Sequence, residues 1–257
     1  MIAQERYAAI LMMIRETNIV KIGDIAEKLK VSNETARRDL ETLQDQGLLK
    51  RVHGGAVLTD PLIDVNSSVI SLKPEISYQE KAAIGKVAAS IIRNGETIFL
   101  DIGMTTLQIA RNIKSLKDLT VITTSLNIIN ELAGSSVNVI ILGGKLIKDD
   151  LHIAAPFTEE IFSRYYIDRA FIGCGGLTMN GDITDYSDLT LRREIVKNHS
   201  DKMILTADSG KFGKKALFKV CNLDLLDTVI TDENIPSEYR ELILQKNLEL
   251  IQAKIRH

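Results

Sequence analysis

Apolar residues recur at helical spacing along the first part of the chain. Three runs place them at intervals of three and four residues, which puts the apolar side chains on one face of each helix. The members of the runs are Tyr7, Ile10, Leu11 and Ile14, then Ile22, Ile25, Ala26 and Leu29, then Val31, Ala36, Leu40 and Leu43. Ser32 stands where a hydroxyl can cap the third helix. The pattern predicts three helices within residues 1–46, the last ending at Gly47.

A short hairpin is predicted directly after these helices. Residues 48–52 read as a strand, His53, Gly54 and Gly55 as a tight turn, and residues 56–58 as the returning strand. Glycine is typical of such turns because it adopts backbone conformations that other residues avoid. Three helices followed by a hairpin predict a winged helix-turn-helix.

The rest of the chain alternates short apolar runs with helical patterns. Predicted strands cover residues 96–101, 119–125, 137–144, 169–176, 202–209 and 227–232. Predicted helices cover residues 79–93, 105–113, 126–132, 157–165, 189–199 and 237–246. Alternation of this kind predicts an α/β fold, a mostly parallel, Rossmann-like sheet with helices on both faces. We therefore predict a winged helix-turn-helix domain in residues 1–57, a linker in 58–77 and an effector domain in 78–257.

Composition narrows the possible functions. The formal net charge is −2, so the chain is not a polycation that binds nucleic acid by bulk charge. Cys174 and Cys221 are far apart, which argues against a disulfide framework or a zinc site. No apolar run has the length of a membrane span, and the N-terminus lacks the apolar segment of a signal peptide. We expect a cytoplasmic protein without a metal or cofactor.

The outward face of the third helix carries side chains that suit DNA. Short polar groups near its N-terminus can reach base edges in a major groove, and arginines one turn later can reach guanine or phosphate. The predicted contacts are Ser32, Asn33, Thr35, Arg37 and Arg38 on the helix, with Lys50, Arg51 and His53 on the wing. Residues 1–57 hold nine Lys and Arg against eight Asp and Glu. The prediction therefore depends on the clustering of the basic residues, and we expect most acidic residues on the earlier helices. The alternative is a small helical bundle with a solvated charged face.

Small polar residues follow five of the predicted strands. In a parallel sheet, ligands bind beyond the carboxyl ends of the strands. The predicted effector-binding residues are Asp101, Gly103, Thr105, Thr106, Thr124, Ser125, Gly143, Gly144, Lys145, Asp185 and Lys211, with Asp182 as a further acceptor of sugar hydroxyls. Backbone N–H groups, hydroxyls and two lysines favour a small phosphorylated polyol. The alternative is that these residues serve only the geometry of the turns.

Two sets of motifs resemble the DeoR family of bacterial repressors of sugar catabolism. The first set is VS-xx-T-x-RRDL followed by GLL-x-R-x-HGGA, within residues 5–56. The second is DIGMTT, TTSL, ILGGK, DRAFIG, DITDY and ADSGKFG, within residues 81–232. The resemblance implies a DNA-binding repressor that a phosphorylated sugar releases from its operator. It also implies a sensor domain similar in fold to ribose-5-phosphate isomerase.

Two other functions stay open from the sequence. One is a sugar-phosphate isomerase with a DNA-binding appendage, for which Asp101, Asp185 or Glu194 would have to serve as the general base. Because nothing in the sequence places a base there, we predict that the chain is not an enzyme, and we interpret His152 and His199 as surface or capping residues. The other is a transcriptional activator. One helix-turn-helix contacts few base pairs, so we expect a homo-oligomer, either a dimer or a tetramer.

Overall fold

The structure is a computed structural model that describes residues 6–7, 9–11, 13–14, 19–45, 49–52, 54–58, 77–148, 150–187 and 191–255. The chain divides into two compact units, residues 1–76 and 77–257. No described helix is both long enough and apolar enough to cross a bilayer.

The N-terminal unit contains helices and a small sheet. Residues 6–7, 9–11 and 13–14 are helical, and they precede β1 (Ile19–Lys21), α1 (Ile22–Leu29), α2 (Asn33–Asp45), β2 (Leu49–Val52) and β3 (Gly55–Leu58). Its buried core consists of Ile10, Leu11, Ile14, Val20, Ile25, Leu29, Ala36, Leu40, Leu43, Leu49 and Ala56. These apolar positions include most of those that the helical spacing predicts, so the three helices are confirmed. The predicted end at Gly47 lies outside the described residues.

The hairpin of the N-terminal unit belongs to a three-stranded sheet. β3 pairs antiparallel with β2, as predicted, and also with β1, which the sequence analysis did not predict. Gly54 has a positive φ of 83° at the turn. A Cβ at Gly55 would lie 2.0 Å from the carbonyl oxygen of Val20, so only glycine allows β1 to approach β3. Gly54 therefore permits the tight turn, and Gly55 lets β1 join the hairpin as a third strand.

The second unit is built on a parallel sheet of seven strands. All six strand pairs in it are parallel. The strands are β4 (Thr97–Leu100), β5 (Thr120–Thr123), β6 (Asn138–Ile141), β9 (Ile167–Ile172), β12 (Ser200–Thr206), β14 (Thr228–Asp232) and β15 (Glu249–Ala253). Their order across the sheet is β15-β14-β12-β9-β4-β5-β6. The helices are α3 (Tyr78–Ser90), α4 (Met104–Ile113), α5 (Leu126–Leu132), α6 (Thr158–Phe162), α7 (Arg193–Asn198) and α8 (Ser237–Gln245).

Apolar side chains are buried on both faces of this sheet. Phe99 belongs to one buried cluster, while its strand neighbours Ile98 and Leu100 belong to another. Successive strand residues point to opposite faces, so the two clusters cover the two faces. The predicted α/β architecture with a covered parallel sheet is confirmed, and this sheet is wholly parallel.

Short antiparallel elements accompany the main sheet. β7 (Lys145–Ile147) pairs with β8 (His152–Ala154), and β11 (Asp182–Asp185) lies between β10 (Gly176–Leu177) and β13 (Phe218–Asn222). None of these strands was predicted, and neither was β15. The helix predicted over residues 189–199 begins only at Arg193, and residues 188–190 lie outside the described part.

The order of strands reverses between β4 and β9. From β4 the chain proceeds through β5 to β6 on one side, and then through β9, β12, β14 and β15 on the other. In open parallel sheets the crevice at such a reversal, beyond the carboxyl ends of the strands, is where ligands bind. The fold therefore directs attention to the residues that follow β4 and β9.

Candidate DNA-reading surface and effector site

The start of α2 is held by a side-chain cap. The backbone N–H of Thr35 donates to Ser32 Oγ at 3.1 Å, and the two hydroxyl oxygens lie 2.9 Å apart. The predicted cap is therefore present. Because Ser32 is engaged in this way, its hydroxyl serves the helix end in the free protein.

The outward face of α2 presents exposed polar and charged side chains. Asn33, Arg37 and Arg38 are exposed, and Thr35 is half-buried. Glu34 lies 3.9 Å from Arg37 and 3.5 Å from Arg38 in ion pairs along the helix. Four of the eight acidic residues in residues 1–57, namely Glu34, Asp39, Glu41 and Asp45, lie on α2 itself, so the expectation that most of them lie on the earlier helices is wrong.

The wing is attached to α2 by a hydrogen bond and an ion pair. The backbone N–H of Arg51 donates to Gln44 Oε1 at 2.9 Å, and the Arg51 guanidinium lies 3.5 Å from Glu41. Arg51 is exposed beside the helix that carries Arg37 and Arg38. The side chain of Lys50 and all of His53 lie outside the described part of the chain.

A buried ion pair within the N-terminal unit was missed from the sequence. Arg6 donates from Nε and Nη2 to the two carboxylate oxygens of Asp39 at 2.7 and 2.9 Å, and Asp39 is 2% exposed. This paired geometry ties the first helical segment to α2. Asp39 therefore fixes α2, the helix that carries Arg37 and Arg38, to the first helical segment. The only sequence signal was an acidic residue on the apolar side of the α2 pattern.

Five loops of the second unit lie side by side. Asp101 follows β4, Thr124 follows β5, Gly143 lies beyond β6, Gly173 follows β9, and Asp208 lies beyond β12. These five strands are consecutive in the order β12-β9-β4-β5-β6. Because the strands are parallel, their carboxyl ends meet at one edge of the sheet. The structure brings these loops together at the strand reversal.

Asp101 forms a buried ion pair that sequence reasoning did not find. Its Oδ2 accepts from Nη2 of Arg193 at 2.7 Å and from the backbone N–H of Gly173 at 3.3 Å. Arg193 is 1% exposed although it begins a short helix. The ion pair therefore bridges three separate segments at the reversal between β4 and β9.

Hydroxyls of the predicted site are partly used inside the fold. Thr106 Oγ1 donates to the carbonyl oxygens of Asp101 and Gly103, at 2.7 and 2.9 Å. Ser125 Oγ accepts from the backbone N–H of Ile128, at the start of α5. For Thr106 and Ser125, the alternative that they serve turn geometry has support in these bonds.

A cavity of about 570 Å³ opens at the same edge of the sheet. It contains two of the predicted effector-binding residues, Thr124 and Lys145. Its remaining lining is Ile147, Ile153, Ala154, Ala155, Pro156, Thr158, Glu159 and Leu191. A hydrogen bond from the Arg192 guanidinium lowers the pKa of Glu159, so that carboxylate stays charged. The β7–β8 hairpin supplies much of one wall.

Several charged side chains near this edge influence the Cys174 thiol. Burial raises the pKa of Cys174 to about 12, so it stays a neutral thiol. Burial also raises the pKa of Asp185. The charges that act on Cys174 are those of Lys211, Asp185, Asp208 and Arg193. The predicted residues Asp185 and Lys211 are therefore in one electrostatic neighbourhood with Arg193.

Asp182 does not join this cluster. It lies at the other end of the four-residue strand β11, roughly 10 Å from Asp185 along the strand. A hydrogen bond from Lys219 lowers its pKa, and Asn222 also donates to it. Asp182 is therefore engaged with Lys219 and Asn222, apart from Asp185, and its role as an acceptor of sugar hydroxyls stays a prediction.

The histidines and the proposed general bases also have clear positions. His199 Nδ1 lies 2.9 Å from the carbonyl oxygen of Ile195 at the end of α7, which agrees with a capping role. His152 is 1% exposed, so it is not the surface residue we expected. Glu194 is exposed, and Asp101 is held by Arg193. Among the described residues no group of His, Cys, Asp and Glu side chains could hold a metal ion.

Comparison with known proteins covers nearly the whole chain. The DeoR-like helix-turn-helix domain matches residues 6–61, and the DeoR C-terminal sensor domain matches residues 76–233. An uncharacterized HTH-type transcriptional regulator of Escherichia coli, YgbI, is 31% identical over 99% of both chains. The HTH-type transcriptional repressor GlcR of Bacillus subtilis is 31% identical over 98% of this chain and 96% of its own. The glycerol-3-phosphate regulon repressor of E. coli is 30% identical over 96% and 97%.

The likeness to enzymes is limited to the fold. Ribose 5-phosphate isomerase from Plasmodium falciparum is 18% identical over 53% of each chain, with a TM-score of 0.38, which supports no argument about function. The matched families and relatives are transcriptional regulators, so the chain is a regulator and not an enzyme. Because the two DeoR domain models together match most of the chain, the chain belongs to the DeoR family of bacterial transcriptional repressors of sugar catabolism.

Proposed function

We propose that the protein represses a sugar-catabolic operon and leaves its operator when a phosphorylated sugar binds at the carboxyl edge of the parallel sheet. The observation that carries this proposal is the meeting of five loops on consecutive strands, beside a cavity that Thr124 and Lys145 line. The name of the glycerol-3-phosphate regulon repressor fits an effector of this class.

The DNA-binding part of the proposal concerns α2 and the wing. Asn33, Thr35, Arg37 and Arg38 enter the major groove, while Ser32 holds the helix end and contacts the backbone. Lys50, Arg51 and His53 on the wing meet phosphate and sugar beside the groove. The exposure of Arg37 and Arg38, with side chains 58% and 77% accessible, supports this arrangement. Glu34 must release both arginines when DNA binds.

The proposed effector site has a cationic end, which binds the phosphate, and an acidic end, which binds the sugar hydroxyls. The phosphate lies by Lys145 and Thr124, with Gly143 and Gly144 close to it. The backbone around Gly103 and Thr105 offers N–H groups at the start of α4, and Thr106 and Ser125 keep these loops in shape. Asp185 and Asp101 accept sugar hydroxyls, and Lys211 balances their charge. The cavity and the buried acids around Cys174 support this division.

The domain organisation of the chain follows from these roles. Residues 1–57 bind DNA, residues 58–77 link the two parts, and residues 78–257 sense the effector. The protein acts in the cytoplasm, where its operator is, and as at least a dimer. Effector binding lowers operator affinity only if the effector binds better to the form with weaker DNA affinity.

A gel shift with the promoter DNA of the neighbouring sugar genes tests the proposal. Wild-type protein is titrated with a panel of sugar phosphates and with the same sugars lacking phosphate. We expect one phosphorylated sugar to release the DNA and its unphosphorylated form to have no effect. Release by the unphosphorylated sugar alone, or by none of the panel, would contradict the proposal.

The same gel shift tests whether α2 is the helix that contacts the bases, here called the reading helix. Replacing Arg37→Ala and Arg38→Ala together should remove specific binding, because a base-contacting arginine contributes about 1–3 kcal/mol. The matched control is Arg164→Ala, an exposed arginine of the second unit. Normal operator binding by the double variant would show that α2 is not the reading helix.

A further inference from the structure

The guanidinium of Arg193 is buried but only partly hydrogen-bonded. Nη2 donates to Asp101 at 2.7 Å, and the side chain is 1% exposed. Nε and Nη1 are also buried, and within the described part of the chain neither has a hydrogen-bond partner. Buried donors are almost always paired in folded proteins, so unpaired ones point to a missing partner. Nε and Nη1 of Arg193 can therefore donate hydrogen bonds to additional anionic oxygens.

Arg193 lies next to the cavity that we assign to the phosphate. Leu191 lines that cavity, and Arg192 pairs with Glu159, which also lines it. Asp101, the partner of Arg193, follows Leu100 of β4, and Leu100 is in register with Thr123, which precedes Thr124. The cavity and the guanidinium are thus one strand apart, at the same edge of the sheet.

A buried acceptor without a partner is found in the same neighbourhood. Asp208 is 2% exposed, and its Oδ2 has no hydrogen-bond partner among the described residues. The charges of both Asp208 and Arg193 act on the Cys174 thiol. A ligand that presents an anionic oxygen and a hydroxyl could pair with both groups.

We propose that Arg193 binds a carboxylate of the effector, so that the effector is a phosphorylated sugar acid; this inference rests on the proposed function. The phosphate lies at Lys145, the carboxylate accepts from Nε and Nη1 of Arg193, and a sugar hydroxyl donates to Asp208. Guanidinium geometry suits planar carboxylates. A second phosphate fits less well, because it would add up to two negative charges beside Asp101, Asp185 and Asp208.

Two ligands that differ at one end test this inference on the wild-type full chain. A phosphorylated aldonic acid carries a carboxylate where the phosphorylated alditol of the same length carries a CH₂OH group. Binding of both is measured by calorimetry, and release of operator DNA by gel shift, for several chain lengths. We expect the acid to bind at least about tenfold more tightly than its alditol, at the one chain length that fits.

Variants then assign the preference to Arg193. Arg193→Gln should bring the ratio of the two affinities close to one, and Arg193→Lys should lower it while keeping the charge. The control Arg164→Gln removes an exposed positive charge from the same unit and should keep the wild-type ratio. Thermal melts show which variants are folded. If Arg193→Gln does not fold, the test rests on the ratio of acid to alditol affinity in the wild type and on the change of that ratio in Arg193→Lys.

The outcomes separate this inference from the proposed function. Equal affinity of the wild type for acid and alditol would overturn the inference, while release of operator by the alditol would keep the proposed function. A preference that persists in folded Arg193 variants would overturn the role of Arg193. Failure of every sugar phosphate to release the operator would overturn both.

Discussion

Arg37, Arg38 and Asp39 are adjacent in sequence but have different surroundings. The two arginines are exposed on the outward face of α2, whereas Asp39 is buried against Arg6. Helical geometry explains the difference, because each residue turns about 100° from the one before it. Neighbouring charged residues can therefore serve DNA binding and folding separately.

Asp39→Ala should destabilise the N-terminal unit. It leaves Arg6, whose side chain is 15% exposed, without its carboxylate, and breaking such a pair costs about 3 kcal/mol. Urea unfolding measures the loss, and Asp24→Ala, which removes an exposed acid from α1, is the control. Operator affinity should fall together with stability. Equal stability of the two variants would show that the ion pair has no structural role.

Asp185→Asn should stabilise the protein at neutral pH. Burial raises the pKa of Asp185, so the folded chain holds its proton more tightly than the unfolded chain does. The stability that this proton contributes is complete below the ordinary pKa of the carboxyl and is lost as pH rises through the raised pKa. Above that pH the fold carries a buried charge, which asparagine removes.

The gain from Asp185→Asn should therefore shrink as the solution is made acidic. Thermal melting across pH measures it. Asp182→Asn is the control with the opposite sign, because Lys219 lowers the pKa of Asp182 and its charged form favours the fold. A gain from Asp185→Asn that does not change with pH would contradict the assignment of the raised pKa.

At the scale of elements, the wing depends on contacts that fix it to α2. Gln44 accepts from the backbone of Arg51, and Glu41 pairs with the Arg51 side chain. Hairpins beside a groove meet mainly phosphate and sugar. Arg51→Ala should therefore weaken binding to all DNA sequences alike and reduce the salt slope by about one.

Gel shifts over a range of salt concentrations, with operator and unrelated DNA, measure this effect. The control is Arg111→Ala, an exposed arginine on α4 of the other unit. A loss confined to operator DNA, with the salt slope unchanged, would show that Arg51 reads bases.

The elements that sequence predicts best are the buried ones. Six strands of the parallel sheet follow from their apolar runs, and α5 was predicted over Leu126–Leu132 as observed. β7 and β8 were missed because they have only three residues each, which is too short to show an alternating apolar pattern. The need for glycine at position 144 could not be predicted from local sequence either. A Cβ added there would lie 2.7 Å from the carbonyl oxygen of Ala154, which is ten residues away in the chain.

The candidate site was predictable only where it follows strands. The loops after β4, β5, β6, β9 and β12 carry small polar residues, and a parallel sheet brings such loops together. Arg193 was not predicted because it is 92 residues from Asp101 in sequence, and a charged residue on a helix is normally exposed. Its burial depends on packing between separate segments, which periodicity does not describe.

At the scale of the whole molecule, one reading helix recognises too few base pairs for a specific site. We expect at least a dimer, with half-sites about 34–36 Å apart or a multiple of that distance. Sedimentation at the concentrations used for operator binding measures the assembly, and moving the half-sites by half a helical turn should abolish tight binding. A monomer that binds the operator with full affinity would contradict this expectation.

The central claim is that effector binding at the strand ends controls DNA binding elsewhere in the chain, and the gel shift of Lys211→Ala tests it most directly. A charge-assisted contact from Lys211 to the effector, as we propose, would contribute roughly 1.5–3 kcal/mol, so the variant should need about tenfold or more effector to release the operator. Without effector it should bind the operator as the wild type does, and Lys117→Ala, an exposed lysine before β5, should behave as the wild type throughout. Release of Lys211→Ala at the wild-type effector concentration would place the effector site elsewhere, and loss of operator binding without effector would show that Lys211 supports the fold.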